Sequence, residues 1–158
     1  LENDLAPDDI AEIIVRMSDN ESHVVDSRHI ADINCQHMTA VMVMDKTVTF
    51  ETAHDNDRMN DPDILAQKAK VKLTPDPSLP RRQPIIEIKT TDGRDLTHRT
   101  MAVRGTPDNP MTKQEVGDKA FELFAGPLGE TKAQDLIDRV WNIEDVANVR
   151  DLSPLLMP

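Results

Sequence analysis

The pattern of hydrophobic and polar positions changes several times along the chain, and each change predicts a different element. A β-branched apolar run at residues 10–17 predicts a strand. Residues 28–45 carry apolar side chains at helical spacing, which predicts a helix, while residues 46–50 predict a short strand. Between the first two elements, residues 18–27 are polar and indicate a loop. Val71 and Leu73 begin a further predicted strand.

In the rest of the chain, turn signals and capping residues predict where elements begin and end. The dipeptide Asp92-Gly93 separates β-rich runs at residues 85–90 and 96–103, so it predicts a β-hairpin. Gly126-Pro127 predicts a helix break, and the tail at residues 146–156 is apolar at helical spacing. Three helix starts are predicted from capping residues, at Asp61 with Pro62, Thr112 with Glu115, and Thr131 with Gln134.

These elements mix strands and helices without the strict alternation of a parallel α/β fold. We therefore expect the α+β class, with an antiparallel sheet of about four strands, helices packed on one face, and C-terminal helices. A chain of 158 residues is long enough for a modest hydrophobic core.

The composition of the chain limits the kinds of molecule that it is expected to bind. The net charge of -11 disfavours nucleic acid as a partner, although a locally basic pocket can still bind a small anion. No apolar run reaches the roughly 20 residues of a membrane span, so we expect no membrane partner. Cys35 is the one cysteine, which is typical of a protein of the reducing cytoplasm. Because residue 1 is not Met, we expect a fragment or a processed chain.

The segment Asp32-Ile33-Asn34-Cys35-Gln36-His37-Met38 is the most informative for chemistry. It places one polar pair, Gln36-His37, in an otherwise apolar helical register. His37 is either a hydrogen-bonded core residue or a residue that faces a pocket, where an imidazole pKa of roughly 6.5 suits acid–base chemistry. Cys35 lies on a different side of the same helix, so a Cys–His nucleophile pair is disfavoured.

Metal binding is not favoured by any cluster of ligand-type residues. The acidic run at residues 55–63 resembles a calcium loop, but Met59, Asn60 and Ala66 occupy positions where that loop needs other residues. The five histidines do not show the spacing of zinc ligands. We therefore expect no metal, and read the acidic run as a solvated loop with a helix cap.

An ordered set of segments then carries a resemblance to a known family. The segments are Pro7-Asp8-Asp9-Ile10, Asp32-Ile33-Asn34-Cys35-Gln36-His37-Met38, Asp61-Pro62-Asp63-Ile64-Leu65, Lys70-Val71-Lys72-Leu73, Thr91-Asp92-Gly93-Arg94 and Gly105-Thr106-Pro107-Asp108-Asn109-Pro110-Met111-Thr112. Their order resembles the MmgE/PrpD family, which includes 2-methylcitrate dehydratase, cis-aconitate decarboxylase and iminodisuccinate epimerase. The resemblance implies that residues 1–110 form a small α+β lid domain. Residues 111–158 would form a C-terminal helical segment that returns toward a large helical domain, which is absent from this chain.

The resemblance also implies an activity. The full-length protein would be a dehydratase, lyase or epimerase without cofactor or metal, abstracting a proton next to a carboxylate of a small di- or tricarboxylate such as 2-methylcitrate. Gln36-His37 matches a Gln-Tyr pair of the family, which implies a catalytic His37 and a substrate-binding Gln36. Arg28 and His29 are further candidates for binding a carboxylate. Asp32 stands where the family often has an arginine.

The implied partners are the substrate, the large helical domain of the same protein, and further copies of the chain. Without the helical domain, the 158-residue chain is expected to be inactive. Its apolar tail at Val149, Leu152, Leu155 and Leu156 would then lack a partner, which favours self-association. The alternative is a non-catalytic interaction or structural module that keeps the fold, and the departures at His37 and Asp32 are compatible with it.

Overall fold

The computed structural model describes residues 5–157. The chain divides into two compact units, Leu1–Val103 and Arg104–Pro158. The division that the family resemblance implies, after residue 110, stays a prediction. Within the described residues, the helices are too short or too polar to cross a membrane.

The first unit contains all four strands of the sheet. Its strands are β1 (Ile10–Met17), β2 (Val71–Pro75), β3 (Ile85–Thr90) and β4 (Asp95–Arg99). Its helices are α1 (Asp19–Val25), α2 (Cys35–Asp45), α3 (Phe50–His54) and α4 (Pro62–Lys68), with short 3₁₀ helices at Pro7–Asp9, Ala31–Ile33 and Asp57–Asn60. The second unit contains α5 (Lys113–Leu128) and α6 (Glu130–Trp141), followed by 3₁₀ helices at Ile143–Asp145 and Val149–Leu155.

The strands form one mixed sheet in the order β2-β1-β3-β4. β1 pairs antiparallel with β3, and β3 pairs antiparallel with β4. This confirms the predicted α+β class and the four strands. The β1–β2 pair is parallel, because α1 to α4 lie between these strands and return the chain to the same end of the sheet.

One face of the sheet is apolar and packs against α2. Its buried side chains are Ile10, Ile13, Val15 and Val71. Cys35 and Val43 of α2 pack against this cluster. The helix layer therefore lies on this face, where burial of aliphatic side chains supplies the main stabilisation.

The opposite face of the sheet carries ion pairs. Glu12 on β1 pairs with Lys72 of β2 and, at 2.9 Å, with Lys89 of β3. Arg16, also on β1, pairs with Asp76 at 2.5 Å and with Glu87 of β3 at 3.1 Å. Since side chains alternate across a strand, these charges and the apolar core occupy opposite faces of the same strands.

Three predictions for residues 18–50 are wrong. Residues 18–27 are not simply a loop, because they contain α1, a polar helix in which only Ser22 is buried. The helix predicted from residue 28 begins at Cys35, since the side chain of Asn34 caps it there. Residues 46–50 form no strand: Lys46 ends α2 in the left-handed region at φ 62°, and Thr49 caps α3.

Most of the predicted turn and capping chemistry is confirmed. Asp61 caps α4, Thr112 and Glu115 form the capping box of α5, and Gly93 takes φ 90° in the β3–β4 turn. The break at Gly126-Pro127 is wrong, because α5 continues to Leu128 and ends at Gly129 with φ 79°. Pro127 has no N–H to donate to the carbonyl four residues earlier, so α5 contains it at the cost of one hydrogen bond, one residue before the helix ends.

Two C-terminal predictions also need correction. Thr131 does not cap α6, since that helix begins at Glu130 directly after Gly129. The tail forms 3₁₀ rather than α-helical turns. Leu152 is buried within the second unit, whereas Val149 and Leu156 are exposed at 69% and 59%.

Candidate functional site

Helix α2 is apolar on two sides, because it packs against both the sheet and α4. Toward α4, its residues Ala40 and Val41 are fully buried and pack with Ile64. Toward the sheet, α2 borders a cavity of about 580 Å³ that is almost entirely apolar. The side chains of α2 that line this cavity are Cys35, Met38, Thr39, Met42 and Val43.

His37 belongs to the side of α2 that faces α4. It stands one helical turn before Ala40 and Val41, and such positions share one face of a helix. Its side chain has no exposed surface, and neither ring nitrogen has a hydrogen-bond partner among residues 5–157. Within residues 5–157, the ring therefore faces no open pocket, and it is not a hydrogen-bonded core residue either. Its catalytic role stays a prediction.

The surroundings of His37 favour the neutral imidazole. Burial lowers the pKa of His37 below its ordinary value of 6.5, the nearby cations Lys68 and Arg58 lower it further, and Asp55 acts in the opposite direction. Arg58 is held by two bonds to Asp45, of 2.5 and 3.1 Å. Lys68 has no hydrogen bond or ion pair to its ammonium in the part of the chain that the structure describes. A neutral imidazole can accept a proton, but its ring must first become accessible.

Cys35 does not form a reactive pair with His37. Its side chain packs with the sheet cluster and borders the cavity on that side of α2. Burial raises the pKa of the Cys35 thiol, which keeps it protonated and weakly nucleophilic. The residue therefore contributes to packing, in agreement with the disfavoured Cys–His pair.

Gln36 is 6% exposed, and its side-chain amide is engaged on both sides. Its Nε2 donates to Asp26 Oδ1 at 2.6 Å, and its Oε1 accepts from the backbone N–H of Ser27 at 2.9 Å. Its predicted contact with a substrate stays untested, but the amide would have to leave these partners to make one.

Arg28 and His29 lie in the turn between α1 and the 3₁₀ helix Ala31–Ile33, and both are exposed. Within the described residues, neither side chain makes a hydrogen bond or an ion pair. In a chain of net charge -11, an arginine without a carboxylate partner is available to an external anion. The structure thus brings Gln36 beside the turn that carries Arg28 and His29, while His37 lies on the side of α2 that faces α4.

Sequence reasoning missed the part that Asn34 plays in this site. Asn34 is fully buried, caps α2 through a 2.9 Å bond from the backbone N–H of His37, and donates its Nδ2 to the carbonyl of Arg28 at 2.5 Å. An asparagine directly before an apolar periodic run is a helix-start signal, and it could have placed the start of α2.

Side chains of the acidic run at residues 55–63 bind backbone N–H groups of the same run. Asp55 accepts from the backbone N–H of Asp57, and Asp61 accepts from that of Asp63. Over residues 5–157, no three His, Cys, Asp or Glu side chains lie close enough together to hold a metal ion.

Comparison with known proteins gives one family match. A family model described as the MmgE/PrpD C-terminal domain matches residues 1–145. No curated protein gives a significant match to the chain.

Proposed function

Since the chain belongs to the MmgE/PrpD family through its C-terminal domain, we propose that it is one part of a lyase, dehydratase or epimerase that needs no cofactor. The substrate is a small di- or tricarboxylate such as 2-methylcitrate, and the reaction begins with loss of a proton next to a carboxylate. The full-length protein carries the activity together with a large helical domain. The family match over residues 1–145 is the observation that carries this proposal.

The turn at Arg28 and His29 supports a carboxylate substrate. A planar guanidinium presents paired N–H donors that match the two oxygens of a carboxylate. Arg28 has no such partner within residues 5–157, and His29 beside it can donate a further hydrogen bond. We assign these two side chains to binding of a substrate carboxylate.

For His37 we propose proton transfer or hydrogen-bond donation to the substrate. Its lowered pKa keeps the imidazole neutral near neutral pH, so one ring nitrogen can accept and the other can donate. Because the ring has no exposed surface, this role requires α2 and α4 to separate locally when the substrate binds. The complete burial of His37 is also the observation that favours the alternative, a module that keeps the fold without chemistry.

The test is turnover of 2-methylcitrate by the full-length protein, followed through the ultraviolet absorbance of the new conjugated double bond. We expect Arg28→Gln to raise KM by about tenfold to a hundredfold, because a charge-assisted hydrogen bond contributes roughly 1.5–3 kcal/mol. Arg94→Gln is the matched control, since Arg94 is also exposed but pairs with Asp92 in the β3–β4 turn.

The outcomes separate the two hypotheses. Turnover by the full-length protein with a selective effect of Arg28→Gln supports the enzyme. The 158-residue chain alone is expected to show no turnover. Equal kinetics for Arg28→Gln and Arg94→Gln would remove Arg28 from the site. Absence of turnover with 2-methylcitrate and with smaller di- and tricarboxylates would favour the non-catalytic module.

A further inference from the structure

The turn that carries Arg28 and His29 has an unusual backbone. Ser27 lies in the left-handed region at φ 45°, which is uncommon for a residue with a side chain. The two residues that follow are exposed and have long or bulky side chains. Such a segment keeps one conformation only when its backbone polar groups are bound by the surrounding structure.

Two buried amides from the start of α2 bind this backbone. Gln36 bridges the carboxylate of Asp26 and the N–H of Ser27, at 2.6 and 2.9 Å. Asn34 donates to the carbonyl of Arg28 at 2.5 Å. Three consecutive residues of the turn are therefore each held by a side chain from the N-terminus of α2.

Neither amide is free to do anything else. Asn34 is fully buried, and its Oδ1 is already occupied by the N–H of His37. Gln36 is almost fully buried, with both its oxygen and its nitrogen paired. Moving Asn34 to a substrate would leave the buried N–H of His37 without its partner, which is costly, and moving Gln36 would release both of its hydrogen bonds to the turn. Holding the turn keeps both hydrogen bonds of Gln36, whereas a contact with the substrate would break at least one of them.

We propose that Asn34 and Gln36 are positioning residues that fix the turn at residues 26–28, so that Arg28 and His29 meet a substrate carboxylate in a prearranged geometry. The assignment rests on the proposed function, and it replaces a direct substrate contact by Gln36. Fixing the backbone under a long cationic side chain reduces the freedom that the side chain loses on binding. Within residues 5–157, the guanidinium of Arg28 and the imidazole of His29 have no side-chain partner, which indicates why the turn that carries them is held in place.

Two conservative substitutions change the contacts with the turn while leaving side chains of the same size at the start of α2. Asn34→Asp keeps the oxygen that caps α2 but replaces the donor to the Arg28 carbonyl by an acceptor. Gln36→Glu loses the donor to Asp26 and puts a second carboxylate 2.6 Å from that of Asp26, so repulsion between the two draws the side chain away from the Ser27 N–H. Gln134→Glu is the matched control, because Gln134 donates to Asp138 at 2.9 Å on the exposed surface of α6 in the other unit.

The first measurement is amide hydrogen exchange of the full-length protein. We expect exchange at Ser27 to accelerate by about tenfold in Gln36→Glu and in Asn34→Asp, because each variant loosens the turn that holds the Ser27 N–H, while exchange in β1 stays unchanged. The second measurement is binding of tricarballylate, an unreactive tricarboxylate, by calorimetry. Both variants are expected to weaken it by about tenfold, and Gln134→Glu is expected to leave both measurements unchanged.

The two measurements distinguish this assignment from the proposed function. Faster exchange together with weaker tricarballylate binding supports positioning by the two amides. Unchanged exchange at Ser27 in both variants would show that Asn34 and Gln36 do not hold the turn, whatever the binding result. Faster exchange with unchanged tricarballylate binding would show that the two amides hold the turn but do not position Arg28 and His29 for binding. If the wild-type protein and Arg28→Gln both fail to bind tricarballylate, the carboxylate site and the assignment that rests on it are overturned together.

Discussion

Replacing His37 by methionine is expected to stabilise the 158-residue chain. The imidazole is fully buried, and neither of its nitrogens has a hydrogen-bond partner in the structure as described for residues 5–157. A methionine has a similar volume, no polar atom that needs a partner, and a higher helix propensity. It would therefore keep the packing of this side of α2 while removing the unpaired nitrogens.

The size of the effect follows from the cost of an unpaired buried polar group. Such a group costs about 1–3 kcal/mol, and imperfect packing of the longer methionine offsets part of that gain. We expect His37→Met to raise the free energy of unfolding by about 1–2 kcal/mol near neutral pH. For a chain of this length, that corresponds to a rise of roughly 2–8 °C in the melting temperature.

The stabilisation should also depend on pH. The pKa of His37 lies below 6.5 in the folded chain, chiefly because of burial. As the pH falls below about 6.5, the unfolded chain binds a proton that the folded chain does not, so the wild-type protein loses stability by at most about 1.4 kcal/mol per pH unit from this group. The methionine variant lacks this loss, and the gap between the two proteins should widen toward acidic pH.

Urea denaturation of both proteins at pH ~7.5 and ~5.5 measures this gap directly. The control is His98→Met, since His98 is exposed on β4, and it should change stability by less than about 0.5 kcal/mol. A methionine variant that is less stable than wild type at both pH values would show that the imidazole has a partner. A gap that does not change with pH would refute the lowered pKa.

Three further predictions concern packing, backbone and association. Ile64→Ala should cost about 2–4 kcal/mol because Ile64 is 1% exposed, whereas Leu65→Ala, 44% exposed, should cost less than about 1 kcal/mol, both by urea denaturation. Gly117→Ala should stabilise α5 by about 0.5–1 kcal/mol, since the added methyl meets only Trp141 at 3.8 Å, while Gly129→Ala should destabilise because Gly129 has φ 79°. The 158-residue chain should self-associate through its exposed apolar surface in sedimentation experiments, and a monomer at high concentration would contradict this.

The fold was predictable from sequence wherever a local signal has one physical cause. Asp92-Gly93 predicted its hairpin because Gly93 takes a positive φ that few other residues accept. The capping residues Asp61 and Thr112 marked real helix starts because their side chains bind backbone N–H groups within one turn. The strand β1 was predicted within its observed bounds, since its apolar run is buried in the centre of the sheet.

Elements whose stability depends on distant residues were not predictable in the same way. α1 has no apolar period, so its sequence resembles a loop. The parallel pairing of β1 with β2 depends on how four intervening helices pack, which no local pattern encodes. Gln36 was noticed as one of a polar pair on a helix and Asn34 was missed, because their partners Asp26, Ser27 and Arg28 lie six to ten residues away in a turn of irregular backbone.

His37 shows most clearly why the site could not be settled from spacing. The helical period places a histidine among apolar residues, and both a core position and a pocket position fit that pattern. The structure buries it with no hydrogen-bond partner among the described residues, an arrangement that costs stability and that a methionine at the same position would avoid. Residues that break a local rule at a cost are expected at functional sites. If His37→Met makes the full-length protein more stable but abolishes turnover, the buried imidazole lowers stability but is required for catalysis. If the variant is more stable and fully active, the imidazole is only tolerated, and His37 has no catalytic role.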